Sequence, residues 1–386
     1  MSTSLFSSGR KLGILGAGQL GKMLLPITET WDIYTKMLDP DPEAPCSAIC
    51  NEFVCGSLQD FNTVYAFGKD CDILTIEIEH VNTEALKQLK AEGKIVHPDP
   101  EVLAQIQDKG LQKQFYQAHN MPTAPFELFE NKAAVLEAIQ SGRWHLPVVQ
   151  KTRKAGYDGR GVSILKTHED MSQLLEGPCL LEQAIDIKTE VAVIVARNER
   201  GDIAVYDTTE MEFHAGANML DLLLYPGNLS EQVTAQAQQL AKNIIEKMNL
   251  CGLLAVEFLL DNEDRLWVNE VAPRPHNSGH QTIESAVTSQ YEQHIRAILN
   301  LPLGSTALLR TSAMVNILGE ANKTGPVVYE GVTECLAEEG VYIHLYGKKI
   351  TKPFRKMGHA TIVHESSDEA KRKALWVKEI LKATSL

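Results

Sequence analysis

The segment that most limits the fold is Gly16-Ala17-Gly18-Gln19-Leu20-Gly21, which follows the apolar run 12–15 and precedes a helical periodicity opening near Gln19. Glycines at this spacing let a chain leave a buried strand through a tight turn and enter a helix at once, the βα step of a parallel sheet. Asp39 follows about twenty residues later at the end of a second apolar run, and together these are the marks of a dinucleotide site. An NAD-dependent dehydrogenase is therefore one reading. Physically the motif certifies less: backbone amides exposed at a helix N-terminus, suited to any anion, a sugar phosphate included.

Further apolar runs at 34–38, 73–78 and 94–96 alternate with amphipathic stretches, so the first hundred residues predict a parallel sheet wrapped by helices. His97-Pro98-Asp99-Pro100 stops this unit. A helix over 108–119, a linker at 121–125 and a strand at 146–150 follow. Between 180 and 260, strands alternate with one long helix, 230–248. After a break near 300–305 come a strand at 314–318 and a final helix over 368–383. The expected fold class is mixed α/β and α+β in three units: a Rossmann-like domain 1–107, a central domain 108–305 with a flexible lobe near 123–186, and a small C-terminal domain 306–386.

Composition narrows the partners. Among 386 residues, 37 Lys and Arg against 50 Asp and Glu leave a formal charge of -13, which repels a phosphate backbone and argues against nucleic acid. The longest apolar run, 251–260, contains Glu257 and is shorter than the ~20 residues of a membrane span, so no membrane association is expected. The first residues carry no apolar signal core, and the odd set of seven cysteines reads as reduced thiols of a cytoplasmic chain. Any phosphorylated ligand must then be held by local clusters of cations.

Two such clusters stand out. Lys151-Thr152-Arg153-Lys154 runs into Ala155-Gly156-Tyr157-Asp158-Gly159-Arg160-Gly161-Val162, a basic, glycine-rich loop without a Walker pattern, whose amides can close over phosphates while Lys151 offsets charge. The alternative is a basic surface loop. The second cluster, Lys348, Lys349, Lys352, Arg355 and Lys356, reads as a solvated loop or as a phosphate clamp.

The most informative spacing lies between residues 252–260 and 265–270. A turn at 261–264 that pairs Leu260 with Arg265 sets Glu257 opposite Val268, with Glu270 a diagonal neighbour on the same face. Two carboxylates converging among Leu, Val and Phe require a cation, which makes Glu257 and Glu270 candidate Mg²⁺ ligands. In a regular strand Asn269 points away. Next, Pro273-Arg274-Pro275-His276-Asn277 offers a stiffened set of donors for an anion or polar substrate.

Taken together, these segments resemble the ATP-grasp superfamily, and within it the bicarbonate-fixing ligases that carboxylate aminoimidazole ribonucleotide. The likeness is carried by GAGQLGKM, LDP, TIEIEHV, QDKGLQKQF, GYDGRG, NEVAPRPHNSG, HLYGK and RKMGH. It implies ATP and Mg²⁺ as cofactors, bicarbonate and aminoimidazole ribonucleotide as substrates, and a homodimer. Residue by residue it assigns Lys109, Lys151, the loop from Gly156 to Val162, Glu182, Gln183, Ala184, Ile185, Glu190, His214, Asn269 and Glu270 to ATP. Glu257 and Glu270 become the metal ligands.

Gln19, Tyr157, Asp158, Arg160, Arg274, His276, Asn277, Lys348, Arg355 and Lys356 are expected around the ribonucleotide and the bicarbonate-derived species. Arg274 and Arg160 would hold the anionic intermediate, Tyr157 and Asp158 would position it, and Asp158 or His276 would accept the amine proton. Lys109 and Lys352 stand where the family often has Arg, which keeps charge and loses bidentate geometry. Formate-dependent glycinamide ribonucleotide transformylases and biotin carboxylases share much of this pattern and are the nearest alternatives.

Overall fold

The computed structural model describes residues 9–154, 161–213 and 220–386. Its N-terminal part is a parallel sheet in the order Glu52–Cys55, Tyr34–Asp39, Lys11–Leu15, Ile73–Ile76, Ile95–Val96. Every pairing in it is parallel. The first strand is central, and its buried run Leu12, Ile14 and Leu15 packs into separate cores on the two faces, as crossover helices on both sides require. The edge strand Glu52–Cys55 has no apolar alternation to announce it.

A second, antiparallel sheet of eight strands forms the body. Its order is Leu266–Ala272, Gly252–Asp261, Ile187–Arg197, Ile203–Phe213, Leu220–Tyr225, Thr311–Leu318, Lys356–His364, Val341–Leu345. The last three strands belong to the C-terminal segment, which thus extends the central sheet. The helix Glu231–Lys247, capped by Ser230, covers one face through Val233, Ala237, Ala241, Ile244 and Ile245. A smaller sheet, Phe126–Phe129, Cys179–Gln183, Val148–Thr152 and Val162–Leu165, carries the basic loop between its last two members.

The final helix ends earlier than its pattern predicts. It spans Ser367–Ile380, and Lys382–Ser385 becomes a strand paired with Gly325–Glu330. An open sheet edge supplies backbone partners that a helix of Ala, Thr and Ser could not outweigh. Rings meet where the C-terminal segment docks: on the central side the Tyr291 hydroxyl lies 2.8 Å from His280 Nδ1, and on the C-terminal side the Tyr346 hydroxyl lies 3.0 Å from His359 Nδ1. His359 stacks on His344 at 4.5 Å and packs against His280 at 4.7 Å.

Candidate active site

The hairpin Gly252–Asp261 with Leu266–Ala272 places the two acidic residues closer than the diagonal arrangement expected of them. Leu260 pairs with Leu266, not Arg265, and Phe258 with Val268. The register then shifts, so that Glu257 pairs with Glu270 directly and Asn269 is the extra residue of a β-bulge. Phe258, Val268, Val256 and Val271 all enter the core, which turns Glu257 and Glu270 to the opposite face. Asn269 is not turned away: its Oδ1 accepts from Lys151 Nζ at 2.8 Å. The expected diagonal pair is thus corrected to a facing pair, with Asn269 beside it.

A lattice of opposite charges surrounds this pair. Lys109, the first residue of the helix Lys109–Ala118, pairs with Glu270. One turn later Lys113 reaches Glu182 at 2.6 Å, and Lys151 reaches the other Glu182 oxygen at 2.8 Å. Spacing of four on a helix puts Lys109 and Lys113 on one face, so Lys113 is legible once Lys109 is suspected. Lys113 also donates to Thr123 Oγ1 at 2.6 Å. Lys109, Lys113, Lys151, Glu182, Asn269 and Glu270 line one small cavity. Arg153 is held away from it by Asp108, at 2.7 Å.

Protonation follows from these neighbours. Burial, with Glu270 and Glu190 adding repulsion, holds the Glu257 carboxyl well above its ordinary range, whereas the charge of Lys109 pulls Glu270 well below. Burial raises Glu190 to about 7. Lys113 is lowered to about 8 by burial despite Glu182, and Glu182 is held low by Lys151 and Lys113 against its own burial.

This donor set fits a hard cation. A cation relieves the repulsion from Glu270 that helps to raise Glu257, and two protein ligands leave positions for phosphate oxygens and water, the usual Mg²⁺ arrangement. Among the described residues no group of three or more His, Cys, Asp or Glu assembles, so the protein alone would not complete the shell.

On the substrate side, Arg274 pairs with Glu79 at 2.8 Å. His276 Nε2 lies 3.5 Å from Glu257, and its Nδ1 accepts from the Ser278 amide at 3.3 Å, which leaves the ring proton on Nε2 in the neutral form. Buried Gln290 fixes the His276 backbone through both its N–H and C=O, at 2.9 and 2.7 Å. Asn277 Oδ1 is buried without a hydrogen-bond partner among the described residues.

From the tail, Lys348 Nζ donates to the Lys356 carbonyl at 2.7 Å, and the charge of Lys356 is felt at Glu257. Arg355 donates to the Ile350 carbonyl at 2.6 Å. Gln19 opens the first helix, half-buried. Gln183, Ala184 and Ile185 leave the strand Cys179–Gln183 beside Glu182, and Val162 pairs with Lys151 at the loop's far end, where Gly161 takes φ +73. Gly156, Tyr157, Asp158, Gly159, Arg160 and His214 lie outside the described residues.

The glycine turn is not open to a dinucleotide. Glu77 accepts from the amides of Gly18 and Gly21, and Asp39 accepts from Ala17 N at 2.9 Å instead of standing free for a ribose. Three of the amides expected to cradle a sugar phosphate, those of Ala17, Gly18 and Gly21, thus serve Asp39 and Glu77.

Three known domain families match successive parts of the chain. The ribonucleotide synthetase preATP-grasp domain matches residues 10–107, the ATP-grasp domain residues 114–291, and the phosphoribosylaminoimidazole carboxylase C-terminal domain residues 312–373. Fold and site therefore define an ATP-grasp ligase. The N5-carboxyaminoimidazole ribonucleotide synthase of Bacillus subtilis (strain 168) is 36% identical over 384 residues, spanning 98% of this chain and 97% of that protein.

The crystal structure of the corresponding synthetase from Thermotoga maritima superposes with a TM-score of 0.90 at 40% identity, covering 98% of this chain and 100% of that one. That of the Aspergillus clavatus synthase, in complex with ADP and 5-aminoimidazole ribonucleotide, gives 0.87 at 30%, covering 96% and 99%. The chain belongs to the N5-carboxyaminoimidazole ribonucleotide synthase family.

Proposed function

We propose that this site joins bicarbonate to the exocyclic amine of 5-aminoimidazole ribonucleotide at the expense of ATP, with its three units acting together: residues 1–107 and 306–386 on the ribonucleotide, residues 108–305 on ATP. The observation that carries the reading is the facing pair Glu257 and Glu270 beneath Lys109 and Lys151. A bicarbonate oxygen attacks the γ-phosphorus, ADP departs, and carboxyphosphate results. The amine nitrogen then takes the carboxyl carbon, or the CO₂ freed from it, and phosphate and one proton are released.

Each residue has a task in that sequence. Lys109 and Lys151 offset charge on the β- and γ-phosphates, and Glu182 to Ile185 with Glu190 receive the nucleoside. Glu257 and Glu270 would hold Mg²⁺, which, when bound, neutralises phosphoryl oxygens. Arg274 holds the anionic intermediate, and His276, with its proton on Nε2, donates to it or to Glu257. Proton acceptance from the amine then falls to Asp158, in the loop that carries Tyr157 and Arg160. Lys348, Arg355 and Lys356 receive the 5′-phosphate, with Gln19 beside it.

The deciding assay is phosphate release from MgATP with bicarbonate and aminoimidazole ribonucleotide, against formate with glycinamide ribonucleotide. Stimulation by the first pair is expected; stimulation by the second pair alone overturns the substrate assignment. No described helix is long and apolar enough to cross a membrane, and we place the reaction in the cytoplasm, in a homodimer.

A further inference from the structure

The cations of the segments HLYGK and RKMGH have a task in the chemistry above, but His344, Tyr346 and His359 of the same two segments do not. These three form one ring cluster. Gly347, at φ +80, turns the chain between Tyr346 and Lys348, and Lys348 Nζ comes to lie 5.6 Å from the centre of the Tyr346 ring. That is within the distance at which an aromatic face attracts an ammonium. The ring is 1% exposed, so it moves only if its packed neighbours do.

Those neighbours are imidazoles. The Tyr346 hydroxyl lies 3.0 Å from Nδ1 of His359, which is fully buried. His359 pairs across the ladder with His344, ring centres 4.5 Å apart and planes at 11°, and its ring lies 4.7 Å from that of His280. His280 belongs to the central domain, a few residues past Arg274 and His276, and its Nδ1 lies 2.8 Å from the Tyr291 hydroxyl. A second link runs from His344 Nε2 to Glu284, 2.6 Å away on the short helix Thr282–Ser285. Burial holds His280 and His359 well below the ordinary imidazole range, so both pack as neutral rings close to the cations of the cleft.

A core built for stability alone would not use these groups. His359 Nε2 and Glu284 Oε2 are buried without a hydrogen-bond partner among the described residues, an unfavourable arrangement that apolar side chains of similar size would avoid. What the polar rings add is direction. A bond between hydroxyl and ring nitrogen fixes the orientation of both rings, where an apolar contact alone leaves them free to slide.

We infer that Tyr346 and His359 are positioning residues: the imidazoles anchor the Tyr346 hydroxyl to the central domain, and the anchored ring aims the Lys348 ammonium at the ribonucleotide. This rests on the ribonucleotide reading above.

Tyr346→Phe removes the hydroxyl and keeps the ring beside Lys348. The KM for aminoimidazole ribonucleotide should rise about 3- to 10-fold, the scale of one neutral hydrogen bond, with kcat and the KM for ATP within about twofold of wild type. His359→Leu, which deprives the same hydroxyl of its partner, should match it. In a Lys348→Ala background neither substitution should raise the KM further, because both act through that ammonium. Should His359→Leu fail to fold, Tyr346→Phe with and without Lys348→Ala decides the same question.

An unchanged KM in Tyr346→Phe overturns the inference. So does a parallel loss of kcat and ATP affinity, or a full further loss in the Lys348→Ala background, since a merely structural role predicts both. Absence of any stimulation by aminoimidazole ribonucleotide in the wild type is a different failure: it overturns the ribonucleotide reading, and this inference with it.

Discussion

Glu257 and Glu270 face each other directly across two antiparallel strands because Asn269 is inserted between Val268 and Glu270 as the extra residue of a bulge. In an unbroken ladder Asn269 would oppose Glu257 and Glu270 would turn to the other face; with the bulge, an amide and a carboxylate share the cleft face, one held by Lys151 and the other by Lys109. Glu270→Gln keeps the shape and removes the charge. We expect ATP-dependent phosphate release to fall by at least about 100-fold, the scale of losing one charged stabilising group at the reacting phosphoryl. Turnover within a few-fold of wild type would remove Glu270 from the metal and nucleotide site.

The raised Glu190 carboxyl gives a pH dependence with a definite sign. Its folded value, about 7 against an ordinary 4.5, means that the folded state holds the extra proton between those values. The stabilisation is complete below 4.5 and is lost as pH rises through about 7. In the absence of nucleotide and metal, the melting temperature of the wild type should therefore decline relative to Glu190→Gln between pH 5 and 8. A constant difference across that range would rule out the burial described for Glu190.

Lys113 is nearly fully buried and holds Glu182 from the side opposite Lys151. Lys113→Met leaves that buried carboxylate with a single cation. Breaking such a pair costs on the order of 3 kcal/mol, and with Glu182 displaced the KM for ATP should rise. Chemical denaturation and ATP kinetics read the two effects. An unchanged midpoint, with unchanged KM, would show the pair to be dispensable.

Lys348→Ala should act on one substrate only. Loss of a charge-assisted contact to phosphate is worth roughly 1.5–3 kcal/mol, which corresponds to a 10- to 100-fold rise in KM for aminoimidazole ribonucleotide. The Kd for ADP, measured by calorimetry, should not move, because Lys348 is held within the C-terminal segment by the Lys356 carbonyl. A matching loss of ADP affinity would mean that the tail acts on the whole cleft.

Much of the architecture is readable from local pattern. The run 12–15 followed by glycines, the apolar segments near 34, 73 and 94, and the long helix ending near 248 all form where their periodicities place them, within one to three residues. Asp108 as a cap, with lysines at 109 and 113, fixes a helix whose basic face meets the nucleotide lobe. The edge strand Glu52–Cys55 and the terminal strand Lys382–Ser385 carry no comparable signal, because both exist only by pairing with distant segments.

What the sequence determined by itself was residue chemistry and local backbone state: glycines where the chain turns, alternating apolar residues where it is buried, two acidic residues near one hairpin, cations gathered in an acidic chain. The tertiary structure alone decided which charge faces which. One inserted residue turned Glu257 and Glu270 from diagonal neighbours into a facing pair, and Glu77, next after the strand Ile73–Ile76 of the parallel sheet, took the amides of Gly18 and Gly21 in the turn that looked open for a phosphate. Side-chain periodicity reports only the conformation of adjacent residues. Register and the partner of a buried charge are set by hydrogen bonds and packing between elements, where a shift of one residue changes the face presented to the site.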